Sequence, residues 1–142
     1  MIRKFRKDDL PVVMQIWLDV NIQTHNFISK KYWTDNYEMV KEMLPQAELY
    51  VYEDEKTNQV EGFLGLTGDY IAGIFVREQV RSQGIGKQLL DYVKDIKLSL
   101  SLSVYQKNTC AICFYQREHF VIQSENMDTD TNEKEFVMTW SR

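Results

Sequence analysis

A short segment with two glycines, residues 81–87 (Arg-Ser-Gln-Gly-Ile-Gly-Lys), separates two stretches of different hydrophobic pattern. The stretch before it, residues 71–76, is an apolar run of the length of a buried strand. The stretch after it, residues 84–97, carries apolar side chains at helical spacing, at Ile85, Leu89, Val93 and Ile96. The glycines therefore fall where a predicted strand ends and a predicted helix begins.

The start of this predicted helix is suited to hold an anion. The first turn of a helix has backbone N–H groups without acceptors and the positive end of the helix dipole. Gly84 and Gly86 lack a Cβ, so an anion can approach those N–H groups closely. The sequence therefore predicts a phosphate-binding loop, and a tight strand-to-helix turn that binds no ligand is the alternative.

The spacing of the glycines excludes two common phosphate-binding motifs. A P-loop has four residues between its glycines, whereas here a single residue separates Gly84 from Gly86, and no Ser or Thr follows Lys87. The dinucleotide-binding fingerprint has a third glycine three residues after the second, where this chain has Leu89. What remains is the pattern Arg-x-x-Gly-x-Gly after a strand.

The length and charge of the chain limit the classes of protein to which it can belong. Its 142 residues suffice for one domain with a sizeable core, so residues 1–142 are expected to form a single domain. The net charge of −4 argues against a nucleic-acid-binding protein and fits a cationic acceptor such as an amine. No run of about 18 apolar residues occurs, and the basic N-terminus does not resemble a signal peptide. We therefore expect a cytoplasmic protein with no membrane partner.

Two cysteines, Cys110 and Cys113, form a C-x-x-C pair. A zinc site would need a second pair of ligands, and the chain has only His25 and His119 as histidines, so no metal is expected. We expect two buried or half-buried thiols in a helix, reduced and metal-free. A redox role for the pair stays open.

The hydrophobic pattern predicts the element order β-α-α-β-β-β-α-β-α-β-β. Asp8 or Asp9 is expected to cap the first helix, and Pro45 ends the second. The predicted strands cover residues 2–6, 48–52, 60–67, 70–76, 98–105, 120–123 and 135–140, and the predicted helices cover residues 9–21, 31–44, 84–97 and 108–118.

A second group of residues follows the predicted fifth strand, namely Asn108, Ala111, Phe114, Tyr115 and Phe120. Together with the Arg-x-x-Gly-x-Gly pattern and the element order, this group resembles the GNAT superfamily of acyl-CoA-dependent N-acetyltransferases. His119 stands where that family usually has a glycine. Residues 104–108 and 24–28 are also similar to a subgroup of small bacterial acetyltransferases, the YiaC/YjaB-like group.

The resemblance implies an α/β (α+β) fold. Its central mixed, mostly antiparallel sheet would have six to seven strands, flanked by about four helices and splayed between strands 4 and 5. Acetyl-CoA would be the co-substrate, and no metal would be needed. Its pantetheine arm would enter between the splayed strands, where a backbone N–H near Phe75 or Val76 would polarise the acetyl carbonyl. The implied cofactor-binding residues are Ile74, Phe75, Val76, Arg81, Ser82, Gln83, Gly84, Ile85, Gly86, Lys87 and Asn108.

Tyr115 is the candidate general acid that would protonate the departing coenzyme A thiolate. A phenol has an ordinary pKa near 10, so it carries its proton at neutral pH without further tuning. A core tyrosine on an amphipathic helix is the alternative. Asn108 would hold the pantetheine arm or cap its helix, and the residue suits both roles.

The resemblance places the first two helices over the acceptor, so His25, Phe27, Trp33 and Tyr70 are candidate substrate-binding residues. Core packing of these rings is the alternative. No general base is evident, and Asp69, Glu78 and His25 are candidates beside a water relay. The acceptor would be a primary amine on a small molecule, a protein lysine or an N-terminus. A non-catalytic acyl-CoA-binding sensor is the alternative function, and a monomer or a homodimer is expected.

Overall fold

The computed structural model describes residues 1–142, and its seven strands form one sheet in the order β1-β2-β3-β4-β5-β7-β6. The predicted element order and fold class are confirmed. The strands are β1 (Ile2–Lys4), β2 (Glu48–Glu53), β3 (Val60–Thr67), β4 (Tyr70–Val76), β5 (Ser99–Tyr105), β6 (Val121–Asp128) and β7 (Glu133–Ser141). The α-helices are α1 (Leu10–Thr24), α2 (Lys30–Met43), α3 (Ile85–Ile96) and α4 (Thr109–Arg117).

The sheet separates two hydrophobic cores because side chains alternate between the faces of a strand. On one face, Val51 and Phe63 pack with the apolar sides of α1 and α2. On the other face, Tyr50 and Leu64 pack with α3 and with Tyr115 of α4. The helices therefore lie in two layers, α1 and α2 on one side of the sheet and α3 and α4 on the other.

The start of α1 differs from the predicted capping arrangement. Asp9 occupies the N-cap position but makes no side-chain bond to the helix, because its carboxylate accepts from Arg6 N–H at 2.7 Å instead. The same carboxylate forms two bonds with the guanidinium of Arg3, at 2.8 and 3.0 Å. Asp9 is buried, so it ties β1 to the turn before α1 rather than capping the helix.

The final strands, β6 and β7, are longer than predicted. The sequence pattern predicted a strand over residues 120–123, whereas β6 runs over Val121–Asp128. β6 lies at the edge of the sheet and is exposed along most of its length. It therefore lacks the alternation of apolar and polar residues by which a strand is recognised in sequence.

No helix in this chain combines the length and the apolar character that crossing a bilayer requires.

His119 adopts the left-handed conformation that its position suggests, with φ +72° just after α4. A Cβ makes this conformation unfavourable, by about 1–2 kcal/mol, and the exposed side chain makes no hydrogen bond in return. His119→Gly should therefore raise the free energy of unfolding by about 0.5–1 kcal/mol, after the greater chain entropy of glycine is subtracted. Urea denaturation measures the change. His119→Ala keeps the Cβ and should give no gain, so equal stabilisation by both variants would contradict this explanation.

Candidate active site

β4 and β5 are the only parallel neighbours in the sheet, and they pair over a short distance. Their paired residues are Tyr70 with Ser101 and Ile71 with Leu102, and beyond these the strands separate. The register between β3 and β4 shifts at this point, which leaves Ala72 as an extra residue on β4. A bulge of this kind bends its strand, so β4 turns away from β5 directly after their last shared pair. The predicted splay between strands 4 and 5 is confirmed.

Backbone hydrogen bonds indicate which groups of β4 face this gap. Arg77 N–H donates to the Glu61 carbonyl at 3.0 Å, and opposed residues of an antiparallel ladder alternate between bonded and non-bonded pairs. Arg77 is therefore in a bonded pair, Val76 in a non-bonded pair and Phe75 again in a bonded pair. The backbone N–H and C=O of Phe75 thus point toward β3. The backbone groups of Ile74 and Val76 point away from β3 and toward the gap.

The gap between the strands opens into a cleft of about 730 Å³. The cleft brings together residues from α1, α2, β4, the 81–87 loop, β5 and α4. Gln83 and Phe27 are the two predicted site residues that do not line it. The predicted residues that do line it are His25, Trp33, Tyr70, Ile74, Phe75, Val76, Arg81, Ser82, Gly84, Ile85, Gly86, Lys87, Asn108 and Tyr115.

Residues 82–87 of the loop present a row of backbone N–H groups without protein acceptors. The first hydrogen bond of α3 runs from Gln88 N–H to the Gly84 carbonyl at 3.0 Å, and no side chain caps the helix. Gly84 has φ +82° and Ser82 has φ +66°, which turns the chain sharply into the helix. A Cβ on Gly84 would meet no protein atom within 4 Å, so the glycine leaves open space above the N–H groups. This geometry fits a pyrophosphate.

The two basic side chains of the loop are already engaged. Arg81 donates to Thr24 Oγ1 at 3.1 Å and so links the loop to the end of α1. Lys87 Nζ lies 3.0 Å from a Glu118 carboxylate oxygen and 3.3 Å from one of Asp91. These two carboxylates raise the pKa of Lys87, Glu118 more than Asp91. Lys87 is therefore paired with carboxylates, whereas Arg81 keeps its charge and further N–H groups. The donors of the loop that remain for an anion are its backbone N–H groups and Arg81.

Tyr115 lies in the cleft wall with its hydroxyl free of protein partners. The residue is 9% exposed, and it packs against the rings of Phe114 and Phe120. Burial raises the pKa of Tyr115, with a further contribution from Tyr70. The phenol therefore keeps its proton at neutral pH, and the hydroxyl is available to donate to a bound ligand.

Asn108 caps α4 and also contacts His25 across the cleft. Its Oδ1 accepts from Ala111 N–H at 3.2 Å, and its Nδ2 lies 3.4 Å from His25 Nε2. Asn21 Nδ2 donates to a backbone carbonyl, so its Oδ1 faces His25 Nδ1 at 3.0 Å. His25 must therefore carry its proton on Nδ1, which leaves a lone pair on Nε2 directed at Asn108.

His25 is the only one of the three candidate bases that lines the cleft. Asp69 and Glu78 do not line it. The His25 ring stacks on Trp33 and meets Tyr105 edge to face, at centroid distances of 5.6 and 5.0 Å. These three rings form the aromatic end of the cleft. Burial among these rings lowers the pKa of His25 to about 4. The imidazole is therefore neutral at physiological pH.

This low pKa predicts a pH dependence of stability. The unfolded chain binds a proton at His25 below about pH 6.5, while the folded protein resists protonation until about pH 4. Stability should therefore fall as the pH drops from about 6.5 to 4, by on the order of 3 kcal/mol from this residue. Urea denaturation across this window measures the slope. His25→Gln removes the titration, and an unchanged slope in that variant would contradict the assignment.

Several residues of the cleft were not identified from the sequence. Tyr105 donates from its hydroxyl to Asp128 at 2.7 Å and contacts both His25 and Phe27. Glu135 of β7 also lines the cleft. Tyr105 lies within residues 104–108, which indicated only a similarity to the YiaC/YjaB-like group. No local motif marks Glu135, because β7 reaches the cleft only through its pairing with β5.

The expectation of buried or half-buried thiols is wrong. Cys110 and Cys113 are free and both are exposed. They lie in the first turns of α4, whose buried residue is Tyr115. Cys110 lines the cleft, whereas Cys113 does not.

A split parallel strand pair beside a helix start with free N–H groups is typical of the acyl-CoA-dependent acyltransferase class, and comparisons with known proteins agree. Residues 45–122 match the acetyltransferase (GNAT) domain. The chain is 34% identical to peptidyl-lysine N-acetyltransferase YiaC of Escherichia coli, over 99% of this chain and 96% of YiaC. This protein belongs to the GNAT family, and it is an acyltransferase enzyme.

Two solved structures share the fold. The solution structure of apo YjaB from Escherichia coli is 26% identical, with a TM-score of 0.87, and covers 99% of this chain and 96% of its own. The structure of YncA from Salmonella typhimurium, solved with its cofactor acetyl-CoA, is 14% identical with a TM-score of 0.70. The alignment covers 99% of this chain and 92% of the YncA chain. The predicted similarity to the YiaC/YjaB-like subgroup is confirmed.

Proposed function

We propose that residues 1–142 form a single catalytic domain that transfers the acetyl group of acetyl-CoA to the side-chain amine of a peptidyl lysine. The observation that carries this proposal is the free hydroxyl of Tyr115 inside the cleft between β4 and β5. A protonated donor without a protein partner is suited to a leaving group that departs as an anion. YiaC, which bears the name of a peptidyl-lysine N-acetyltransferase, supports the choice of acceptor.

The cofactor would be held by backbone groups more than by side chains. The free N–H groups of residues 82–87 would bind the pyrophosphate at the start of α3. The exposed edge of β4 would pair with the pantetheine amides as an added strand does. Acetyl-CoA supplies the acetyl group as a thioester. Of the two free positions on this edge, the N–H of Val76 or Ile74 would polarise the thioester carbonyl.

Acetyl transfer from the thioester to the amine requires two proton transfers. The lysine amine attacks as the neutral base and loses a proton as the new C–N bond forms. Water in the open cleft would accept this proton, because His25 has a pKa of about 4 and its Nε2 already faces Asn108 Nδ2. As the C–S bond breaks, Tyr115 would donate its proton to the departing thiolate. The hydroxyl then regains a proton from solvent.

Carboxylates at the aromatic end of the cleft favour a cationic acceptor. Glu135 lines the cleft. Burial raises the pKa of the Tyr32 phenol, and the nearby carboxylates of Asp128 and Asp130 raise it further. The salt bridges of this region engage Glu133 with Lys107 and leave Glu135 without a cation. An amine that approaches this end therefore meets a negative potential.

An acceptor screen tests this function. The protein is incubated with acetyl-CoA and a set of lysine peptides, N-terminal amines and small amines, and products are identified by mass spectrometry. Acetylation of a lysine Nζ in peptides, with release of free coenzyme A, is the expected result. Acetylation of a small amine alone would replace the acceptor, and acetyl-CoA binding without any transfer would favour a non-catalytic sensor.

A further inference from the structure

We propose that Cys110 is a site of reversible modification by coenzyme A disulfide. The mixed disulfide between Cys110 and coenzyme A would occupy the cleft and block the binding of acetyl-CoA. The inference rests on the proposed function, because it requires the cleft to bind coenzyme A. The C-x-x-C pair has no part in the acetyl transfer described above.

The position of Cys110 in the cleft carries the inference. Cys110 is exposed and lines the cleft. One helical turn further along α4, Phe114 Cζ lies 3.7 Å from the place of a Cβ on Gly86, beside the pyrophosphate loop. Two residues before Cys110, Asn108 contacts His25 at the aromatic end. Cys110 thus lies on the cleft wall between the anchor of the cofactor and the acceptor end.

A ligand anchored at the loop carries its sulfur into the cleft beside this wall. Anchoring makes the second step intramolecular, so the effective concentration of the disulfide at Cys110 reaches the millimolar range. Cys113 is also exposed but does not line the cleft. A faster reaction at Cys110 than at Cys113 would therefore show that binding in the cleft brings the disulfide to Cys110. Exposure to solvent alone would not produce this difference.

The exchange needs no oxidant beyond the disulfide itself. The Cys110 thiolate attacks one sulfur of coenzyme A disulfide, the S–S bond breaks, and a protein–S–S–coenzyme A bond forms. One coenzyme A leaves as the thiolate and takes up the proton that Cys110 released. The Cys110 sulfur is oxidised as it enters the new disulfide, and the sulfur of the leaving coenzyme A is reduced to a thiol, so the exchange is balanced. A later thiol reductant would supply two electrons to cleave the mixed disulfide and restore Cys110.

Cys113 is poorly placed to resolve the mixed disulfide. Residues three apart on a helix have Cβ atoms about 5–6 Å apart, whereas a disulfide requires about 3.5–4.5 Å. Closing a bond between Cys110 and Cys113 would therefore distort the first turns of α4. The adduct on Cys110 should persist until an external thiol removes it.

The experiment compares the two cysteines in the folded protein. The chain is incubated with coenzyme A disulfide and followed by intact-mass and peptide mass spectrometry. We expect one adduct per chain, formed at Cys110 at least about tenfold faster than at Cys113. Cys110→Ser should lose the adduct and Cys113→Ser should keep it. Glutathione disulfide, which lacks the nucleotide, should show no such preference, and 3′,5′-ADP should slow the reaction of coenzyme A disulfide.

A second measurement separates this inference from the proposed function. Calorimetric titration with acetyl-CoA should show binding to the unmodified chain, none to the adduct, and binding again after dithiothreitol. If the unmodified chain binds acetyl-CoA but both cysteines react at equal rates, or the adduct still binds, the inference is overturned and the function stands. If the unmodified chain does not bind acetyl-CoA, both are overturned.

Discussion

Tyr115→Phe should lower turnover on the best lysine peptide by at least about tenfold, with acetyl-CoA affinity nearly unchanged. General acid catalysis is typically worth about 10²–10⁴-fold. A coenzyme A thiol is a good leaving group, so the loss should lie toward the lower end. The ring packs against Phe114 and Phe120, and the hydroxyl makes no protein hydrogen bond, so phenylalanine should fit without repacking. Steady-state kinetics and calorimetric titration with acetyl-CoA measure the two quantities.

Tyr92→Phe is the matched control for this variant. Tyr92 is half-buried, makes no side-chain hydrogen bond and does not line the cleft, so the same change there should leave turnover intact. Turnover of Tyr115→Phe equal to that of Tyr92→Phe would make Tyr115 a packing residue. If acetyl-CoA affinity fell as much as turnover, Tyr115 would hold the cofactor instead of protonating its thiolate.

Ionisation of Tyr115 should not contribute to the pH dependence of turnover near neutral pH. Burial raises the pKa of Tyr115 above the ordinary value for a phenol. The hydroxyl therefore stays protonated at neutral and mildly alkaline pH. A limb of the pH–rate profile should come from the acceptor amine, which must lose its proton to attack, and not from ionisation of Tyr115.

Local sequence patterns predicted the elements that carry the site because each pattern reports a local property. The apolar run of β4, the helical spacing in α3 and the glycines between them all lie within residues 70–97. The helix start and its free N–H groups follow from these alone. The left-handed φ at His119 likewise follows from its place after α4.

The remainder of the site depends on contacts between distant parts of the chain. Glu135 meets the cleft because β7 pairs with β5, a register that no short motif specifies. The neutral state of His25 depends on burial beside Trp33 and Tyr105, which come from α2 and β5. Exposure of Cys110 and Cys113 depends on which face of α4 packs on the sheet, and a nine-residue helix has too few turns to reveal that face in sequence.

Gly84→Val should reduce the affinity for acetyl-CoA by about 100-fold or more. The isopropyl group would occupy the open space above the free N–H groups of the loop, where a Cβ meets no protein atom. Loss of two hydrogen bonds to a charged group, each worth about 1.5–3 kcal/mol, corresponds to at least this factor. Calorimetric titration with acetyl-CoA measures the affinity, and urea denaturation measures the stability of the variant.

Backbone strain is the competing explanation for such a loss, since Gly84 has φ +82° and valine rarely adopts this conformation. Gly68 separates the two effects, because it has φ +61°, also meets no atom within 4 Å, and lies in the turn between β3 and β4 outside the cleft. Gly68→Val should lose similar stability and retain acetyl-CoA affinity. If both valine variants bind acetyl-CoA like the parent protein, the N–H groups of residues 82–87 do not hold the pyrophosphate. If both variants lose affinity in proportion to their loss of stability, backbone strain alone explains the effect. The Gly84 result would then give no support to a phosphate-binding loop over a tight turn that binds no ligand.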